Sequence, residues 1–96
     1  MYRAFVELDE REPTEERLDE VQGELLDWRA SVTRSAGGFL ATEILIVVDT
    51  VREAAATAVI VAQAAAQRPA RAVEVVEVAA GMWPVGPWTG GGVLQR

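Results

Sequence analysis

Phe39-Leu40-Ala41-Thr42-Glu43-Ile44-Leu45-Ile46-Val47-Val48-Asp49-Thr50 is the stretch that decides how this 96-residue chain folds. Up to Val48 it is apolar on both faces except for Glu43, the pattern of a strand central in its sheet and covered on both sides. Thr50 and Glu53 then form a Thr-x-x-Glu capping box, which fixes where the next helix begins. That helix, Val51 to Gln67, is mostly Ala with Val59, Ile60 and Val61, and Arg52, Glu53, Thr57, Gln63 and Gln67 give it only a narrow polar stripe. Being apolar most of the way round, it is expected to be covered on more than one side.

Working back toward the N-terminus, Ala36-Gly37-Gly38 supplies the positive φ angles of a hairpin turn. The polar run before it, residues 30 to 35, suits an edge strand, where charged side chains discourage edge-to-edge pairing. Leu18, Val21, Leu25 and Trp28 recur at helical spacing, widened by Leu26, and Thr14 is their N-cap, with Glu15 and Glu16 in the first turn. Gly23 weakens this helix by about 1 kcal/mol relative to Ala unless something packs closely there. Tyr2 to Asp9 alternates, with Tyr2, Ala4, Val6 and Leu8 on one face and Arg3, Phe5, Glu7 and Asp9 on the other. In the central strand Leu40, Thr42, Ile44, Ile46 and Val48 make the uncharged face that belongs to the core. Glu43, on the other face, is expected to pair with Arg3, and Asp49 to assist Thr50 at the cap.

Toward the C-terminus, Arg68-Pro69 stops the helix and Arg71 to Ala79 reads as a fourth strand. Its alternation slips at Val75-Val76, which points to a bulge there. Gly81 to Gly92 holds two of the three Trp, two of the four Pro and five of the eight Gly, so it continues neither helix nor sheet. The division expected is a domain over residues 1–80 and a Trp/Pro/Gly-rich tail over 81–96.

Composition excludes much chemistry. Cys, His, Lys and Asn are all absent, which removes thiols, the usual general base and the commonest metal ligands. No enzyme, cofactor or metal is expected. Net charge is −6, and residues 1–27 hold ten of the fifteen acids against three Arg, so nucleic acid is disfavoured as a partner. No signal peptide and no membrane-spanning run is visible, giving a cytoplasmic expectation.

The element order β-α-β-β-α-β is that of the ferredoxin-like α+β fold: an antiparallel sheet of order 4-1-3-2 with both helices on one face. Over Tyr2 to Ala79, this order together with Glu43-Ile44-Leu45-Ile46-Val47-Val48-Asp49 entering an Ala-rich helix resembles small uncharacterised ferredoxin-like proteins of actinobacteria and their phages. The fold hosts unrelated activities, so function has to come from its surfaces.

Three surfaces stand out. The helix-free sheet face is expected to expose Phe5, Leu45 and Val47, a patch that marks an interface. Trp83 and Trp88, each beside a proline, offer contact area at low entropic cost. Glu16, Asp19, Glu20, Glu24 and Asp27 make an acidic outer face on the first helix. The expectation is a non-enzymatic protein-interaction module, homodimeric through the open sheet face and the tail, with a host protein as a further candidate partner. The alternative is a small-molecule sensor with its pocket at a subunit interface.

Overall fold

A computed structural model describes residues 1–78; the division of the chain at residue 81, Trp83 and Trp88 lie outside the described residues. Six elements follow in order: β1 (Tyr2–Arg11), α1 (Glu15–Glu24), β2 (Arg29–Arg34), β3 (Phe39–Ile46), α2 (Val51–Ala66) and β4 (Ala70–Glu77). The sheet order is β2-β3-β1-β4, the expected 4-1-3-2 viewed from the other edge, and every neighbouring pair is antiparallel. This is the α+β topology of the ferredoxin-like fold.

One face of the sheet carries the core. Ala4, Val6 and Leu8 of β1 and Leu40, Ile44 and Ile46 of β3 cluster with Leu18, Val21 and Leu25 from the α1 region and with α2. From α2 the contribution is Ala54, Ala58, Ala62 and Ala66, all wholly buried. At four-residue spacing these methyls form one stripe, so the helix backbone settles close to the larger side chains of β1. Thr50 caps it as expected, with Glu53 answering the hydroxyl rather than the Thr50 backbone N–H: the Thr50 hydroxyl accepts the Glu53 N–H at 3.1 Å and donates to the Glu53 carboxylate at 3.2 Å. Gln67 ends the helix in the left-handed region at φ 57°, with its N–H on the Gln63 carbonyl.

Arg17 joins the two helices to the sheet. Its guanidinium donates to both Glu10 carboxylate oxygens, to Glu20, and to the Ala66 carbonyl at the end of α2. The last turn of α2 has no basic residue of its own, so Arg17 supplies the positive charge that its dipole favours. The hydrogen bond with Glu10, followed by that with Glu20, raises the Arg17 pKa above its ordinary value, so the guanidinium stays charged throughout.

Four local expectations are corrected, and the alternative left open at Gly23 is decided. Helix α1 ends at Glu24, so Leu25 reaches the core from the cap position while Leu26 is exposed and Trp28 precedes β2. Cβ space at Gly23 is open, so no close packing explains this glycine. Of the two hairpin glycines only Gly38 has positive φ, 87°, and a Cβ there would lie 2.5 Å from the Glu12 carboxylate. The irregularity of β4 lies at Arg71 and not at Val75-Val76, because Glu7 pairs with Ala72 while Leu8 pairs with Ala70. Helix α2 is covered on one side among the described residues, with Ile60 66% exposed at the centre of its outer face.

Two stability outcomes follow from this packing. Ala62→Leu forces a branched side chain between α2 and β1 and is expected to cost about 1–3 kcal/mol in urea unfolding. Gly23→Ala has room for its methyl and is expected to stabilise by up to about 1 kcal/mol in the same experiment.

Candidate functional site

Opposite the helices, the register brings Arg3, Phe5 and Glu7 of β1 beside Phe39, Ala41, Glu43 and Leu45 of β3. Arg29, Ser31 and Thr33 of β2 flank β3, and Ala72, Glu74 and Val76 of β4 flank β1. This face carries far more charge than the sequence pattern suggests. Arg3 pairs with Glu43 at 3.5 Å, as expected, and its guanidinium carbon lies 5.4 Å from the Phe5 ring centre. Arg71 donates to Glu7 at 2.9 Å and stacks 3.7 Å from the Phe39 ring centre, with Arg11 over the same ring at 4.7 Å.

Arg71 reaches both Glu7 and Phe39 because it is the extra residue of the β4 bulge, whose side chain turns with that of Ala72 onto the open face. The Phe39 ring is buried but the Arg71 side chain over it is 42% exposed, and cation–π stacking at such a solvated cation contributes about 0.5–1 kcal/mol. The stack therefore orders the end of the face at modest energetic scale.

Of the expected interface residues, Phe5 is half-buried beside Arg3. Leu45, at 9% exposure, offers little surface, since its cross-strand neighbours are Arg3 and Arg29. Val47 lies just beyond β3 and is 76% exposed, so it stands apart from the other two. On α1, Glu16, Asp19, Glu20 and Glu24 are all exposed, Glu20 in an ion pair with Arg17 at 2.7 Å, while Asp27 belongs to the turn after the helix.

The middle of the open face is a concavity of about 370 Å³. Ala41 and Ala72 are the small residues that create it; Phe5, Thr33 and Ser35 line it, and Glu7, Glu43 and Glu74 bring three carboxylates to it. No Arg is among its lining residues. Sequence reasoning missed this hollow because it needs small residues from two strands that lie on either side of β1 in the sheet, a placement only the register reveals. The pairings Glu7↔Ala41 and Glu7↔Ala72 bring them to either side of one carboxylate. Among the described residues no acidic cluster is arranged to hold a metal ion. With Glu43 paired to Arg3 and Glu7 to Arg71, Glu74 is the exposed carboxylate that can accept hydrogen bonds from a cationic side chain whose stem lies on Phe5 and the two alanines.

No family model matches the chain, and no curated protein or solved structure is significantly similar to it.

Arg71→Ala removes the stack and the Glu7 pair together. The expected cost is about 1 kcal/mol by urea unfolding, and Arg71→Lys recovers only part of it because ammonium lacks the flat face.

Proposed function

We propose that the protein is a non-enzymatic interaction module whose helix-free sheet face binds a basic, extended segment of another protein. The carrying observation is the hollow over Ala41 and Ala72, apolar at its floor, lined by Glu7, Glu43 and Glu74 and by no basic residue. A Lys or Arg side chain crossing it lays its methylenes on Phe5 and delivers its charge to Glu74, which is exposed and directly across from Phe5 in the register. The overall charge of −6 favours encounter with a cationic partner. The missing Cys, His, Lys and Asn fit a binding role better than a catalytic one. Trp83 and Trp88 supply a second, apolar anchor for the same partner. The likeness in element order to actinobacterial and phage proteins makes a host protein the candidate source of the segment.

A second reading draws on the size of the hollow, which falls in the range of small-ligand sites. On that reading the protein is an effector sensor, and a metabolite panel raises its thermal midpoint in a saturable way.

Titration calorimetry with an alternating Arg/Val peptide tests the first reading. Binding that weakens with added salt and falls by roughly tenfold or more in Glu74→Arg supports it. The reading fails if the peptide does not bind, or binds equally well to Glu74→Arg and Phe5→Ala.

A further inference from the structure

The two edges of the sheet differ in a way that no feature of the open face explains. In β2 the residues whose backbone groups point outward are Ala30, Val32 and Arg34, because Ser35 donates to Phe39 and antiparallel bonding alternates. Gln22 of α1 blocks that edge. Its amide nitrogen donates to the Ala30 carbonyl at 2.9 Å and its oxygen accepts the Val32 N–H at 3.1 Å. A side-chain amide thus stands where another strand would add.

The β4 edge has no such plug. Val78 donates to Met1, so Ala72, Glu74 and Val76 bond inward to β1 while Val73, Val75 and Glu77 direct their N–H and C=O groups away from the sheet. Among the described residues nothing hydrogen-bonds to those outward groups. Gln63 takes only the first position, accepting the Ala70 N–H at 2.8 Å. Exposed along the same strand are Val73 at 43% and Val76 at 40%. An open edge with apolar side chains is a template for another strand.

Charge identifies the strand that fits. The N-terminal end of this edge carries Arg68 and Arg71, paired within their own chain with Glu10 at 3.7 Å and Glu7 at 2.9 Å yet still 49% and 42% exposed, and its C-terminal end carries Glu74 and Glu77. Antiparallel pairing with an identical strand sets the basic end of each against the acidic end of the other, twice. Parallel pairing would set like against like.

We infer that the protein dimerises by antiparallel addition of β4 to β4 of a second copy, across a two-fold axis at Val73, forming a continuous eight-stranded sheet. In this register the two Val73 side chains meet on the helix side, Glu74 lies beside Arg71 of the second copy, and Glu77 lies beside its Arg68. A two-fold interface of this kind closes on itself, so assembly stops at two. This goes beyond the partner-binding reading and replaces the open face as the dimer contact; both concavities lie on the opposite side of the joined sheet from the helices, each with its Glu74 at the rim nearest the second copy.

Light scattering behind size exclusion, with circular dichroism as the fold control, tests the inference. Wild type is expected at twice the chain mass, and Val73→Lys at one chain mass with an unchanged spectrum. Val75→Pro removes an outward N–H that β1 does not use and is expected to give the same loss. Val73→Cys, the sole thiol in the chain, is expected to oxidise to a covalent dimer, since paired strands hold the two Cα atoms within disulfide range. Phe5→Ala is expected to leave the mass doubled. A monomeric wild type at millimolar concentration overturns the inference, as does a dimer that survives both Val73→Lys and Val75→Pro, or one that Phe5→Ala dissociates.

Discussion

The rest of the molecule depends on how closely α2 can lie against β1. Four alanines one turn apart, Ala54, Ala58, Ala62 and Ala66, are wholly buried, and the larger residues Val6, Leu8 and Ile44 occupy the space they leave. Burial of the β1 and β3 apolar face is worth about 25 cal/mol per Å², and it is realised only when a helix lies close enough to exclude water. The polar fixtures lie at the ends of this contact. The Thr50–Glu53 cap holds one end of α2, and Arg17, anchored on Glu10, holds the other. Arg34 ties the end of β2 to α1 through the Pro13 carbonyl at 2.9 Å and Glu15 at 2.9 Å. Stability is thereby concentrated on one side of the sheet.

The opposite side is then released from making a core, and its residues are of another kind. Arg3 and Glu43, Arg71 and Glu7, and the rings of Phe5 and Phe39 form a mixed surface with a hollow at its centre. Such a surface resists collapse onto any apolar neighbour, because each apolar element lies next to a charge. The edges divide in the same manner: β2 is closed by a side chain of α1, and β4 is left to whatever strand matches its charge order.

Much of the architecture was legible because its determinants are local. The apolar run into Asp49-Thr50, the Thr14 and Thr50 caps and the alternation of Tyr2 to Asp9 each lie within a few residues of the structure they specify. The core faces of β1 and β3 follow from alternation alone. What escaped depends on register. Leu45 is lost as surface because pairing sets Arg3 and Arg29 on either side of it. The bulge belongs at Arg71 because Asp9 donates to the Pro69 carbonyl at 2.8 Å, which fixes the start of β4 one residue out of step. The Gln22 plug is invisible in sequence, since a glutamine on an exposed helix reads as solvated surface until β2 is seen beside it. Leu26 was misplaced because apolar periodicity continues past the point where the chain turns at Leu25.

Amide hydrogen exchange resolved by residue tests the central claim that the α2 contact on β1 organises the fold. The account predicts the slowest exchange at the ladder amides of β1 and β3 beneath α2, and protection at Val32 beyond that of an open edge, because Gln22 holds its N–H. Fast exchange throughout β1, with β2 or the loops as the most protected part, would contradict it.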